Sequence, residues 1–262
     1  MWPALYAAFI WEVSMNIFFK RIIAISPLLL SSALYASETA SETEAIKLDA
    51  VTTSGIKDAD WKPYASMLKG MDAYEKFKYH APTAPLKFII RPEKGRALIP
   101  GLALRIEDEG SSIAVPIAED GTFVLPRDQA LADKKAELVL NKPKGYRWSA
   151  RILSANSSEN AWRMGDMRLQ CEVMVAINKD SLSFLARTAL LAIDPCRSSL
   201  IHLVRELPHK SNELIAVYAG KREKVELSED KGKIYFRIPL DNDKYPDDTL
   251  FEIQYPDQTA AK

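Results

Sequence analysis

Cysteine, histidine and net charge are all in short supply in this chain, and each shortage narrows what it can do. The three histidines, His80, His202 and His209, are too few and too scattered for a two-histidine zinc motif, and neither H-E-x-x-H nor C-x-x-C occurs. A G-x-S-x-G elbow, a P-loop and a G-x-G-x-x-G turn are also missing. That removes the commonest motif-borne routes to hydrolysis and to nucleotide or dinucleotide binding. Thirty-five basic residues are balanced by 35 acidic ones, so no net field draws the chain to nucleic acid. The only cysteines are Cys171 and Cys196, and an even pair in an exported protein reads as a disulfide. Closing a loop of 25 residues stabilises by roughly 3.5 kcal/mol in the chain-entropy picture.

The N-terminus supports export. From Met15, Lys20-Arg21 form a positive region, residues 22–30 an apolar stretch, and Ser31-Ser32-Ala33 or Leu34-Tyr35-Ala36 a small-residue end. This is a secretory signal peptide over 15–36, cleaved after Ala33 or Ala36. Residues 1–14 carry Glu12 and read as an upstream extension. An uncleaved anchor is the alternative, although the stretch after Arg21 is well short of the ~20 apolar residues that span a bilayer. The expected location is periplasmic, with secretion or anchoring as alternatives, and no stable membrane span once the signal is removed.

Residues 37–57 are rich in Ser, Thr, Glu and Ala and read as a flexible linker. Within 58–81, Trp61, Tyr64, Met67, Leu68, Met71, Tyr74 and Phe77 recur at helical steps, so an amphipathic helix is expected from Trp61 to Tyr79, docked by that stripe. Asp58 and Asp60 are cap candidates, and Gly70 weakens the helix interior by about 1 kcal/mol relative to Ala. Strand patterns follow at residues 86–90, 102–106, 113–117, 122–125 and 137–140. Asp120-Gly121, between two of these runs, reads as a hairpin turn because Gly accepts positive φ.

Strand, acidic turn, strand, then Ala118-Glu119-Asp120-Gly121-Thr122-Phe123-Val124-Leu125-Pro126 resembles the carboxypeptidase regulatory-like, or transthyretin-like, β-sandwich modules over residues 86–140. The resemblance implies a fold, and a role as a non-catalytic accessory module of secreted or envelope proteins. No zinc-ligand pattern or carboxypeptidase domain accompanies it.

Beyond residue 154, Met167, Leu169, Cys171, Val173 and Val175 alternate and read as a strand. A short helix over 182–193, capped by Asp180 or Ser181, is stopped by Asp194-Pro195. Strands are expected again over 214–219, around Val225 and Leu227, over 234–238 and over 250–255, with turns at residues 220–223 and at Lys231-Gly232. The spacing echoes the first unit, either as a diverged repeat or as a generic likeness between hairpins. The fold class is therefore mainly β: two β-sandwich-like units, 82–153 and 154–262, with an N-terminal helix and a short helix between the units. The first core is expected from Phe88, Leu104, Ile106, Val115, Phe123 and Leu138, the second from Val217, Val225, Phe236, Phe251 and Ile253. The second set is thin, so a fragment from residue 200 is expected to stay unfolded and one from residue 164, with its disulfide, to fold.

Hard oxygen ligands concentrate in one loop, where Asp241, Asp243, Asp247 and Asp248 are candidates for Ca²⁺ without the EF-hand spacing. No other cofactor is indicated. Trp61, Tyr146, Trp148 and Trp162 are candidates for a glycan-stacking platform, with core burial as the default. The expected function is that of an exported, non-enzymatic envelope binding or assembly protein with a protein or glycan partner. The alternative is a periplasmic hydrolase using acids such as Asp247 or Glu137.

Overall fold

The computed structural model describes residues 58–93, 100–158, 160–198, 202–207, 211, 213–230, 232–241 and 243–255, with backbone alone at 202, 203, 205 and 239. The extension, the signal peptide with its Ala33 and Ala36 cleavage sites, the linker, His209 and Asn242 lie outside these residues. The chain runs β1 (Ala59–Pro63), α1 (Tyr64–Phe77), β2 (Leu86–Pro92), β3 (Leu104–Glu107), β4 (Ser112–Val115), β5 (Thr122–Phe123), α2 (Gln129–Asp133), β6 (Glu137–Pro143), β7 (Tyr146–Ile152) and β8 (Ala161–Arg163). It continues with α3 (Met164–Asn178), α4 (Phe184–Ile193), β9 (His202–Glu206), β10 (Glu213–Tyr218), β11 (Lys221–Lys224), β12 (Leu227–Asp230), β13 (Lys233–Pro239) and β14 (Leu250–Gln254). Among the described residues four antiparallel sheets form, in the orders β1-β6-β3-β4, β5-β2-β7, β11-β10-β14-β8 and β12-β13-β9. Of the described residues, strand accounts for 38% and helix for 28%, so the class is mixed α/β and richer in helix than the alternation implied.

The first core lies between the first two of these sheets and helices α1, α2 and α3. Phe88, Leu104, Ile106, Val115, Phe123 and Leu138 are all buried in it, together with Tyr64, Met67, Leu68, Met71 and Tyr74 of α1. The docking stripe is thus as expected, but it begins at Tyr64. Trp61 belongs to β1 and pairs with Val139 of β6. The preceding strand holds Pro63 at φ −61° and ψ 130°, at the helix N-cap, because its ring and absent N–H suit a helix entry but cannot join the hydrogen-bonded interior. Asp60 does not cap the helix. Its carboxylate accepts from Gly145 N, Tyr146 N and the Trp148 indole, fastening β1 to the turn between β6 and β7.

The Asp-Gly signal marks a turn, but not a hairpin. Gly121 has φ +80° and Asp120 accepts from the Thr122 N–H and hydroxyl, while β5 pairs with β2 through Phe88 and Phe123. The chain therefore leaves the β3–β4 ladder at this corner and joins the other sheet. Burying Phe123 against Phe88 and Trp148 outweighs a local ladder between β4 and β5. By contrast, β3–β4, β10–β11 and β12–β13 are true hairpins, with Ala219-Gly220 and Gly232 supplying positive φ at the last two turns.

The largest departure is at 167–175, expected as a strand and formed as part of α3. The alternation arose because this helix is buried on opposite sides. Leu169, Val173, Met174 and Ile177 belong to the first core, while Met164, Met167 and Cys171 belong to the second. Steps of three and four residues on each face interleave into a period near two, which imitates a strand. Gly70 of α1 explains the close approach of the two helices, since a Cβ there would lie 2.6 Å from Ile177 Cγ1.

The second core collects Val225, Phe236, Phe251 and Ile253 as expected. Val217 is not in it. Leu214 and Ala216 of β10 point inward instead, a one-residue shift that exchanges the two faces of a strand.

Candidate functional site

Two features carry chemistry or contact potential: a polar seam at the start of α3, and the surface of α4. The seam follows from how α3 begins. Its first N–H groups lack partners within the helix, and Met164 N and Gly165 N donate to Thr249 O and Asp247 O at 2.9 Å each. The loop before β14 therefore lies directly on the helix end. Only glycine fits there, because a Cβ on residue 165 would lie 2.0 Å from His80 O.

That loop delivers Asp247, whose carboxylate accepts from Arg168 Nη1 at 2.5 Å and contacts His80 Nδ1 at 2.8 Å. Partial burial pushes the Asp247 carboxyl up, but the hydrogen bonds from Arg168 and His80 outweigh it and hold the carboxyl below its ordinary range. Beside it, Asp166 is buried and accepts from Ser154 N, Ser154 Oγ and Ser157 Oγ at 2.8, 2.5 and 2.6 Å. Arg163 links the two groups through Ser154 Oγ and His80 O. Carboxylates at a helix N-terminus are favoured by its dipole, so the seam is electrostatically self-consistent.

Of the calcium candidates, Asp247 is engaged by Arg168 and His80, Asp241 is half-buried, and Asp243 and Asp248 are exposed. Among the described residues, no three His, Cys, Asp or Glu side chains converge as a metal site requires. Glu137 lies exposed on β6, and Asp247 in the loop before β14, so the two acids considered for hydrolysis sit on different elements. His202 is on β9, as expected of a strand residue. The aromatic candidates are divided. Trp148 is buried in the first core, Trp162 stacks on Phe236 against the second at 5.2 Å, Tyr146 is half-buried and Trp61 exposed.

Missing from the sequence reading was the surface made by α4. Apart from Arg187 and Thr188, every residue of this helix is apolar, yet none is buried: Phe184 is 76%, Leu185 79% and Leu191 57% exposed. Ser183, rather than Asp180 or Ser181, caps it by accepting from Ala186 N, and Asp194 in the left-handed region ends it before Pro195. Leu190 and Arg187, one turn apart, are the half-buried positions. An all-apolar helix ordinarily signals burial, so nothing in the sequence marked this one as a surface.

Both ends of α4 are fixed. On the N-terminal side Asp180 binds Lys69 of α1 and lies 3.4 Å from Arg187, and the Lys69 hydrogen bond foremost holds its carboxyl below the ordinary range. On the C-terminal side Cys196 is disulfide-bonded to Cys171 of α3. Arg197 donates to the Tyr79 hydroxyl at 2.8 Å, stacks over Phe77 and lies 3.6 Å from Glu172. Burial pushes the Glu172 carboxyl up, with Arg197 pulling against it. The disulfide fits an oxidising compartment, and among the described residues no helix is long and apolar enough to cross a membrane. Compared with protein-family models, with curated proteins and with solved structures, the chain gives no match.

Proposed function

We propose that this is an exported, non-enzymatic binding or assembly protein of the cell envelope, acting in a bacterial-type periplasm, with α4 as its docking element. The observation that carries this reading is an apolar helix held outward by a disulfide at one end and ion pairs at the other. Contiguous exposed apolar surface of this kind marks interaction sites. The partner is an envelope component with an apolar face. That chemistry suits a protein or lipid surface better than a glycan, which is held by exposed flat aromatic faces. The two cores, each lined by two sheets, support the reading of two sandwich-like units.

Cell fractionation tests the reading. The mature chain, without its leader and with Cys171 and Cys196 oxidised, is expected in the envelope fraction, and Leu185→Glu/Leu191→Glu is expected to release it to the soluble fraction. Equal retention of both forms would remove α4 as the docking element. The hydrolase reading keeps one favouring observation, the Asp247 contact to His80 Nδ1, which is the arrangement that orients an imidazole as a base. A hydrolase-substrate screen in which His80→Ala abolishes a turnover would restore it.

A further inference from the structure

We propose that the envelope component met by α4 is the surface of an anionic lipid bilayer, and that the helix lies in its interfacial layer. The inference rests on the envelope-binding reading above and names the partner.

The first argument is orientation. A surface helix normally turns its apolar stripe inward and its charges to water, whereas α4 keeps Arg187 half-buried against Asp180 and turns Phe184, Leu185, Leu191 and Ile193 outward. A short helix with its polar edge on the protein and a broad apolar arc outside is shaped to enter acyl chains sideways.

The second is charge. The chain as a whole is neutral, but Lys69 and Arg187 pair with Asp180 at one end of α4, with Lys179 acting on the same carboxylate. At the other end Arg197 lies 3.6 Å from Glu172, where Lys76 also favours the Glu172 carboxylate and Asp194 opposes it. Five cations thus face three carboxylates around an apolar helix. Tyr79, 58% exposed and bonded to Arg197, adds an aromatic of the kind that settles at headgroup level. Long basic side chains beside it reach the phosphate layer while their stems stay apolar.

The third is size. Ten residues make a helix about 15 Å long, half the ~30 Å needed to cross the hydrocarbon. The outward face amounts to on the order of 300 Å² for a cylinder of helical diameter. A stable interface between two copies needs about 800 Å² from each. Lipid accepts a small apolar element where a second copy does not.

The test uses the mature, oxidised full-length protein and vesicles made either of equal parts phosphatidylglycerol and phosphatidylcholine or of phosphatidylcholine alone. Wild type is expected to co-sediment with the anionic vesicles. Binding should weaken several-fold on neutral vesicles or at about 0.5 M salt, where screening is strong. Leu185→Glu/Leu191→Glu is expected to reduce partitioning at least about tenfold, because two buried apolar contacts become charges. Both positions are exposed, so its melting temperature should stay within about 2 °C of wild type. Failure of wild type to bind anionic vesicles, or equal binding by the variant, would overturn the lipid assignment. A concentration-dependent dimer abolished by the same variant, without vesicle binding, would give the helix to a second copy. Envelope retention that depends on α4 without vesicle binding would give it to a protein groove and leave the envelope-binding reading standing. Loss of both would end both.

Discussion

At the scale of single residues, the seam at the start of α3 makes the sharpest demands. Gly165 sits where a methyl group would overlap a backbone carbonyl at 2.0 Å, and backbone cannot move aside as a flexible side chain can. Gly165→Ala is therefore expected to cost about 3 kcal/mol or more, read from urea denaturation, and an unchanged midpoint would show that the loop before β14 does not rest on the helix as described. Two carboxyls nearby titrate in opposite senses. Asp247 is held below its ordinary value of 3.8, so the folded state binds its proton less readily than the unfolded chain. Its stabilisation is present above that value and is lost as pH falls through the folded pKa. Glu172 is raised above 4.5, so it costs stability as pH rises from that value through its folded pKa. Consequently, wild type should gain stability relative to Glu172→Gln on acidification from neutral pH towards 4.5, and Asp247→Asn should flatten the loss seen below 3.8. Denaturant midpoints across this range check both signs, and parallel wild-type and Glu172→Gln curves would refute the Glu172 assignment.

At the scale of elements, α1 and α3 show how a local weakness serves packing. Gly70 lowers helix propensity by about 1 kcal/mol relative to Ala, but it gives Ile177 the space it occupies. Gly70→Ala is expected to be destabilising by about 1 kcal/mol despite the better propensity, because overpacking costs more than the helix gains. Ile177→Ala, which removes both Cγ1 and Cδ1, should cost clearly less on the Gly70→Ala background than on wild type, giving a coupling that a double-mutant cycle measures. Independent, additive effects would mean the helices do not meet there. The link between α3 and α4 offers a second test. Replacing both cysteines with Ala should lower stability by roughly 3 kcal/mol and raise hydrogen exchange chiefly in α4, which has no buried residue to hold it.

At the scale of the whole molecule, α3 decides what folds alone. The sequence pattern favoured a folding fragment from residue 164, but Leu169, Val173, Met174 and Ile177 on α3 complete the first core. Such a fragment would leave them in water, and it would also lose β8, which pairs with β14. Fragments starting at 164 and at 200 are both expected to aggregate or remain unfolded, while one starting at 58 should melt cooperatively. A dispersed amide spectrum from the 164 fragment would show that α3 is not shared as described.

Much of this was legible in short-range pattern. Alternation placed Leu104, Ile106, Val115 and Leu138 in the first core, three- and four-residue steps gave the buried stripe of α1, and the cysteine pair gave the disulfide. Each of these depends on one neighbour surface, so local periodicity reports it directly. The rest depends on two surfaces at once, or on none. α3 looked like a strand because opposite faces are buried in different cores. Asp120-Gly121 looked like a hairpin because a turn does not encode which sheet receives the next strand. Asp247 meets His80 and Arg168 across 167 and 79 positions of sequence. α4 looked like an interior helix because hydrophobicity states a preference for leaving water without naming what receives the side chain. The sequence alone determined which residues seek burial and which two cysteines pair; only the tertiary structure decided which apolar faces are covered and that, among the described residues, none of α4 is buried.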